Sequence, residues 1–526
     1  MAEGFSQFLI AAPASGSGKT TLTLGLLRAL ANRGLRVQPF KCGPDYIDTQ
    51  HHATAARRPS EVSPSEVSPS INLDLFMASP EHVRTSYERY VRWADVAITE
   101  GVMGLFDGSD RMQGSSAAVA ALLAIPVVLV INAKAMAYSV APLLYGFKHF
   151  YAGIRLVGAI FNNVGSASHY RFLADACTDV GVEPLGYLPS NPRFAIPSRH
   201  LGLHLSAETD YEQIIQAIAD ELPKTIDLDR LLTITQSPRP VPAPVNASVS
   251  EAPTRRISIA RDEAFLFTYQ QNLDRLAQVG TVTFFSPLHD SALPDTDFLY
   301  LPGGYPELYA KQLSGNESMR TSIRNYCLSG GLAYAECGGL MYLSQSIQVQ
   351  SRLTRSGTAW PMVGVLDVTT SMQAAKLTLG YRQIQLNDPG LEGPGLEGPG
   401  LEGLTINGHE FHYSSLTEPT PLPSVASISN AKGIPVDTKL YRVQNTFASY
   451  IHLYWSDKPA FIERLFALVE TGPPVRQYLA SQHASAFLPV SLFLRQPLPS
   501  GLTTIRVPRR KVLPHRRTGL YKCEQS

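Results

Sequence analysis

Apolar positions over the first half of the chain alternate between two rhythms. Residues 8–12 (Phe-Leu-Ile-Ala-Ala) form a continuous apolar run, the pattern of a strand buried on both faces. Leu22, Leu24, Leu26, Leu27 and Leu30 follow it as a helical pattern. A short second strand is predicted over 36–42, a helix over 80–90 and a strand over 95–99. Two more buried strands read at 125–131 and 156–161, the latter ending in Asn162 and Asn163, and a short one at 183–189. Strands alternating with helices up to about residue 222 predict a doubly wound parallel sheet. Pro, Ser and Val then dominate 235–253, an extended linker. A second α/β pattern begins at Arg256, with strands at 257–260, 281–285 and 298–301, then a helix, and another strand before Cys337. Periodicity is lost after about residue 471. The predicted division is therefore a first α/β domain over 1–224, a linker over 225–254, a second α/β domain over 255–470 and a disordered basic tail over 471–526.

Bulk properties narrow the classes. A chain of 526 residues is too long for one ordinary core. With 44% hydrophobic and 17% charged residues it has a globular composition, and a net charge of +1 gives no general attraction to nucleic acid or anionic membrane. The N-terminal stretch lacks the basic-then-apolar order of a secretion signal, and there is no apolar run of 18 residues for a membrane span. Five scattered cysteines without a C-x-x-C pair argue against a disulfide framework and point to a reducing, cytoplasmic setting. Arg509, Arg510, Lys511, Arg516 and Arg517 cluster in the tail, where a disordered segment is the preferred reading over a nucleic-acid patch. Tandem Ser-Glu-Val-Ser-Pro copies at 60–69 and Gly-Leu-Glu-Gly-Pro copies at 390–403 read as surface loop insertions.

The first turn carries the clearest chemistry. Between strand and helix stand Ser15, Gly16, Ser17, Gly18, Lys19 and Thr20. Strand, glycine-rich turn, Lys-Thr and helix is the order of a phosphate-binding loop: backbone N–H groups and the helix N-terminus face phosphate oxygens, Lys19 reaches the β/γ-phosphates, and Thr20 can ligate Mg²⁺. Pro13 occupies the position of the motif's first glycine, so the loop is a variant. At the end of the second strand come Lys41 and the run Gly43-Pro44-Asp45-Tyr46-Ile47-Asp48. Lys41 can meet phosphate there, and Asp45 or Asp48 can meet Mg²⁺ or a substrate, because ligands of open parallel sheets bind at that edge. Glu100 directly follows the next strand, placed to hold Mg²⁺, with Asp107 on the same glycine-rich loop. The pair Asn162 and Asn163 is a candidate adenine contact.

In the second pattern, Ala335-Glu336-Cys337-Gly338-Gly339 puts a thiol at a strand-to-helix turn, the setting of a nucleophile elbow. The following helix N-terminus is expected to favour thiolate. N–H groups at Gly338 and in the Gly303-Gly304 turn are candidates for an oxyanion hole. A cysteine nucleophile needs a histidine close in space. His409, His412 and His452 are available; His452, ending a strand-like run, is preferred, and the other two read as structural or substrate-facing.

A phosphate-binding loop joined to a cysteine elbow resembles the cobyrinic acid a,c-diamide synthases of corrinoid biosynthesis over about residues 6–470. The most specific pieces are Pro39-Phe40-Lys41 with 43–48, and Glu100-Gly101-Val102-Met103-Gly104-Leu105-Phe106-Asp107-Gly108. The resemblance implies an N-terminal P-loop synthetase domain and a C-terminal class I glutamine amidotransferase domain. It implies that Cys337 attacks glutamine, that His452 moves the proton, and that ammonia passes to the first domain. There ATP with Mg²⁺ phosphorylates a corrinoid carboxylate. Ser15 to Thr20, Lys41 and Asn162 fall at ATP positions, Thr20, Asp45 and Glu100 at metal positions, Tyr46, Asp48 and Asp107 at substrate positions, and Gly304 and Gly338 at the oxyanion hole. The implied partners are ATP, L-glutamine and cobyrinate, without nucleic acid or membrane, and a homodimer is compatible with it. Other tetrapyrroles (nickel-sirohydrochlorin, hydrogenobyrinic acid) are alternative substrates. A ParA/MinD-like ATPase with an inert second domain is the reading from another class. Tyr454 stands two residues after His452, where class I amidotransferases often carry a glutamate, so no His-x-Glu carboxylate orients this histidine.

Overall fold

A computed structural model describes residues 4–58, 68–196, 211–240, 255–349, 357–373, 376–387, 400–419 and 421–470. Most of both pentapeptide arrays, residues 241–254 of the linker and the whole tail from 471 lie outside these. In chain order the strands are β1 (Phe5–Ala11), β2 (Val37–Cys42), β3 (Ile71–Leu73), β4 (Val96–Glu100), β5 (Val127–Asn132), β6 (Leu156–Val164), β7 (Glu183–Pro189) and β8 (Gln236–Ser237). The second half adds β9 (Arg255–Ala260), β10 (Gly280–Phe285), β11 (Phe298–Leu301), β12 (Leu332–Glu336), β13 (Ser346–Val349), β14 (Thr358–Pro361) and β15 (Thr369–Ser371). It ends with β16 (Thr378–Leu386), β17 (Thr405–His412), β18 (Ser415–Thr417), β19 (Ala426–Asn430), β20 (Leu440–Val443), β21 (Thr446–Ser449) and β22 (Ile451–Leu453).

The first sheet runs in the order β3-β2-β4-β1-β5-β6-β7, all parallel, with β8 added antiparallel to β1. Every residue of β1 is buried, because helices cover both faces. Phe5, Leu9 and Ala11 point into one core with Val83 and Tyr87, from the helix Pro80–Val91. Phe8 and Ile10 point into the other, with Leu22 and Leu26 of the helix Lys19–Asn32 and Leu222 of the helix Tyr211–Thr225. The apolar run at 8–12 thus served two cores, as continuous hydrophobicity requires. Pro80 opens its helix at the first turn, and Ser79 caps it by accepting from the His82 N–H at 3.2 Å.

Two boundaries differ from the sequence reading. The helix Leu228–Ile234 and β8 fall within the stretch assigned to the linker, yet Leu228 and Leu231 are buried in the same core as Phe8 and Ile10. The first folded unit therefore continues past residue 224, because the short helix returns the chain to pair with β1. The strand expected to stop at 161 continues to Val164, with Asn163 at φ 60° where the register with β7 shifts.

The second sheet runs β10-β9-β11-β12-β21-β20, parallel except for β20. Two smaller sheets accompany it, β14-β13-β15-β18 and β19-β16-β17-β22. The two α/β halves lie in one compact unit. Phe267, Tyr269 and Tyr454 of the second half are buried in a core of the first, and Asp74 Oδ2 accepts from Tyr381 Oη at 2.7 Å across the boundary.

Candidate active site

The loop after β1 opens onto the helix Lys19–Asn32 at the C-terminal ends of the central strands. Gly18 has φ 99°, and a Cβ there would lie 2.0 Å from Asn162 Nδ2, so only glycine fits. Asn162 donates from Nδ2 to Ser17 O at 3.1 Å and accepts at Oδ1 from Asn163 N at 2.9 Å. Each end of its amide thus holds backbone, and the side chain braces the loop. Lys19 Nζ donates to Met103 O at 2.5 Å and Ala14 O at 3.5 Å, joining the loop to the stretch after β4. Burial lowers the Lys19 ammonium, with Glu100 partly opposing.

Around Glu100 the structure gathers residues from three other segments. Its Oε1 accepts from Thr20 Oγ1 and from Lys41 Nζ, each at 2.7 Å, and its Oε2 lies 2.7 Å from His52 Nε2. Lys41 Nζ also meets Asp48 Oδ2 at 2.7 Å. Burial alone would raise the Glu100 carboxyl, but the Lys41 charge and the His52 hydrogen bond outweigh it and hold it well below the carboxylate range. His52 had no sequence signal, since a lone histidine in a helix is not distinguished by spacing. Lys41 and Asp48 form an enclosed ion pair beside Glu100, and Asp48 is 3% exposed, which sets it back from the cavity where a substrate would be met. Asp45 Oδ1 accepts from Ile47 N and Asp48 N at 3.0 and 2.8 Å, capping the helix Ile47–Ala56. Asp107 Oδ2 accepts from Gly104 N at 2.8 Å. Among the described residues no group of three or more His, Cys, Asp or Glu is arranged to enclose a metal. The Thr20 hydroxyl and Glu100 carboxylate are nonetheless a hard-oxygen pair suited to Mg²⁺, which takes few protein ligands and completes its shell with phosphate and water.

Cys337 sits between β12 and the helix Gly338–Leu343 at φ 47° and ψ −101°, a strained turn that a nucleophile elbow uses. Its N–H donates to Ser449 O at 2.8 Å, and its Sγ contacts Phe411 O at 3.7 Å. The thiolate expected from the helix N-terminus is not favoured. Burial and then Glu307 raise the thiol, the Gly338 N–H opposes them weakly, and a helix of six residues adds little. The thiol therefore needs a base.

A Cβ at Gly338 would lie 2.9 Å from Gly304 N, and a Cβ at Gly303 would lie 2.2 Å from His452 Cε1. The elbow, the Gly303-Gly304 turn and His452 are thus packed against one another, as three glycines without side chains permit. His452 is 1% exposed, and burial, with the neighbouring His409 and His412, pushes its imidazole down to about 3. His409 pairs with His452 across β17 and β22. His412 is held by Glu410 at 2.9 Å and stacks on Tyr450 at 3.7 Å, a structural setting.

One cavity of about 660 Å³ spans the two halves. Thr20, Asp45 and Asp107 line it from the first, and Tyr305, His409 and Phe411 from the second. Tyr46, placed at the substrate position by sequence, also lines it while packing on His452.

The family model described as the CobQ/CobB/MinD/ParA nucleotide binding domain matches residues 8–203, and the CobB/CobQ-like glutamine amidotransferase domain matches 256–460. The chain is 39% identical over 476 residues to the cobyrinate a,c-diamide synthase of Listeria monocytogenes serotype 4b, covering 88% of this chain and 100% of that one. It is 39% identical over 459 residues to that of Streptococcus sanguinis, covering 85% and 96%. It is 38% identical over 450 residues to the hydrogenobyrinate a,c-diamide synthase of Brucella ovis, covering 85% and 98%. These relatives match across both halves and carry synthase names, which sets aside the partition-ATPase reading.

Proposed function

We propose that this chain, which belongs to the family of the a,c-diamide synthases, amidates the a and c acetate carboxylates of cobyrinate with ammonia drawn from glutamine, in cobalamin synthesis. It is a glutamine-dependent, amide-forming ligase that uses ATP. The observation that carries the reading of its sites is the shared cavity, because Thr20 of the phosphate loop and Tyr305, Glu307 and His409 of the second half, the last paired with His452 across two strands, line one space.

In the glutamine half-reaction the Cys337 thiol gives its proton to His452 and the sulfur attacks the side-chain amide carbon. N–H groups at Gly304 and Gly338 receive the developing oxyanion. Ammonia leaves with the proton from His452, and water hydrolyses the thioester to glutamate. In the other half-reaction a substrate carboxylate oxygen attacks the γ-phosphorus of ATP and ADP departs. Ammonia then attacks the acyl carbon and inorganic phosphate leaves. A carboxylate is a poor acyl donor, so phosphorylation makes the second step feasible. Residues 15–20 hold the triphosphate. Thr20 and Glu100 would hold Mg²⁺, which neutralises phosphate charge. Lys41 keeps the Glu100 carboxylate charged, and Asp45, Tyr46 and Asp107 face the substrate.

A second substrate, hydrogenobyrinate, is favoured by one observation: the Brucella relative is nearly as similar as the Listeria one. Mass spectrometry of products from cobyrinate and from hydrogenobyrinate, each with ATP, Mg²⁺ and glutamine, tests both. Two amides gained on cobyrinate support the reading; two amides gained only on hydrogenobyrinate transfer it to that substrate, and none on either overturns it.

A further inference from the structure

The His-x-Glu carboxylate of class I amidotransferases is replaced by Tyr454, whose hydroxyl is 3.0 Å from His82 Nε2 of the first half. That side chain therefore bridges the two halves. Yet His452 Nδ1 is buried without a hydrogen-bond partner, an arrangement that costs free energy unless something nearby can receive its proton. The nearest carboxylate is Glu336, the residue immediately before the thiol in sequence. Its Oε2 lies 3.7 Å from His452 Nδ1, and both side chains are 1% exposed. Glu336 is itself held from two sides: Oε1 accepts from Leu453 N at 2.9 Å and Oε2 accepts from Tyr300 Oη at 2.7 Å. The carboxylate is thus fixed by β11 and β22, with one oxygen 3.7 Å from the unpartnered ring nitrogen.

We propose that Glu336 is the positioning carboxylate of His452, supplied from β12 instead of from the strand that carries the histidine. The inference rests on the reading of Cys337 and His452 as the glutamine-cleaving pair. With a proton on Nδ1 directed to Glu336, Nε2 is left to take the thiol proton. The imidazolium that results lies beside a carboxylate, and the 3.7 Å separation closes to a hydrogen bond as charge develops. Burial supports the pairing. It pushes the Glu336 carboxyl up to about 8 and the His452 imidazole down to about 3, so each carries charge readily only when the other does.

The test uses the full-length protein and two ammonia sources. Glu336→Gln keeps both holding contacts, since its oxygen accepts from Leu453 N and its amide can donate to Tyr300, but it removes the ionisable carboxyl group. Expected is a fall in kcat for glutamine-driven activity on the order of a hundred-fold, with KM for glutamine and ammonium-driven synthesis unchanged. Glu336→Asp, retaining a carboxylate, should recover part of the rate. A wild-type kcat in Glu336→Gln would overturn the proposal, as would equal loss of glutamine- and ammonium-driven synthesis, which would assign Glu336 to the fold alone. Cys337→Ala run alongside separates the two levels: if it retains glutamine-driven synthesis, the reading of the pair itself has failed.

Discussion

The ring of Tyr46 lies on the imidazole of His452, with centroids 4.5 Å apart and planes 33° from parallel. Tyr46 stands just before the helix Ile47–Ala56 of the first half, and its hydroxyl is 2.5 Å from that of Tyr269 in the second. One side chain of the nucleotide half therefore packs directly on the histidine proposed to move the proton in glutamine cleavage. Tyr46→Ala should cost about 3–5 kcal/mol of stability, as buried aromatic truncations do, and should lower glutamine-driven synthesis more than ammonium-driven synthesis. Tyr46→Phe keeps the ring contact, so it should cost about 1 kcal/mol and leave the ratio of the two activities unchanged. Denaturant titration and paired assays check both.

Gly303 offers a test by addition. A methyl at this position would fall 2.2 Å from His452 Cε1, well inside contact distance. Gly303→Ala should displace the imidazole and abolish glutamine-driven activity while ammonium-driven synthesis persists. Retention of wild-type glutaminase activity would show that the imidazole can move without consequence.

The enclosed charges around Glu100 predict a stability effect. Lys41 is 3% exposed and neutralises both Glu100 and Asp48. Lys41→Met leaves those carboxylates facing each other without their cation. Breaking a buried pair from one side costs about 3–5 kcal/mol, a shift readable in the urea midpoint. Both glutamine- and ammonium-driven synthesis should fall, because Glu100 also holds Thr20.

Glu336 should leave a signature in the pH dependence of stability. Its folded value of about 8 lies above the ordinary 4.5, so between those limits the folded state keeps a proton that the unfolded state has lost. Stability from this group is therefore lost as pH rises through that window. Glu336→Gln should show a smaller decline in Tm between about pH 5 and 8 than the wild type. Parallel Tm curves for the two proteins would refute the assignment.

Cys337→Ala should end glutamine-driven synthesis and spare synthesis from ammonium salt, and Lys19→Ala should end both. Product formation followed with each nitrogen source decides the matter. Simultaneous loss of both activities in Cys337→Ala would count against separate sites.

Local pattern was enough for the parts of the molecule that are local. The continuous run at 8–12, the Gly-rich turn and the leucines beyond it specify strand, loop and helix within about 25 residues, because burial on two faces and helical spacing are written in neighbouring positions. The elbow at Cys337 was legible for the same reason, glycines following a buried strand. The Pro- and Ser-rich stretch misled over 228–237, where a seven-residue helix too short to announce itself by periodicity carries the chain back to β1.

What only the tertiary structure decided are the pairings between distant segments. Asn162 spends its amide on Ser17, Lys41 is enclosed by Glu100 and Asp48, and His52 reaches Glu100 from a helix without any motif. Glu336 stood in plain view beside Cys337, but its partner is more than a hundred residues away, and Tyr46 meets His452 across the boundary between halves. Sequence spacing carries periodicity, and periodicity specifies elements and their buried faces. Which polar side chains then meet depends on strand order, register and the packing of two domains, and those are settled only when the whole core is buried at once.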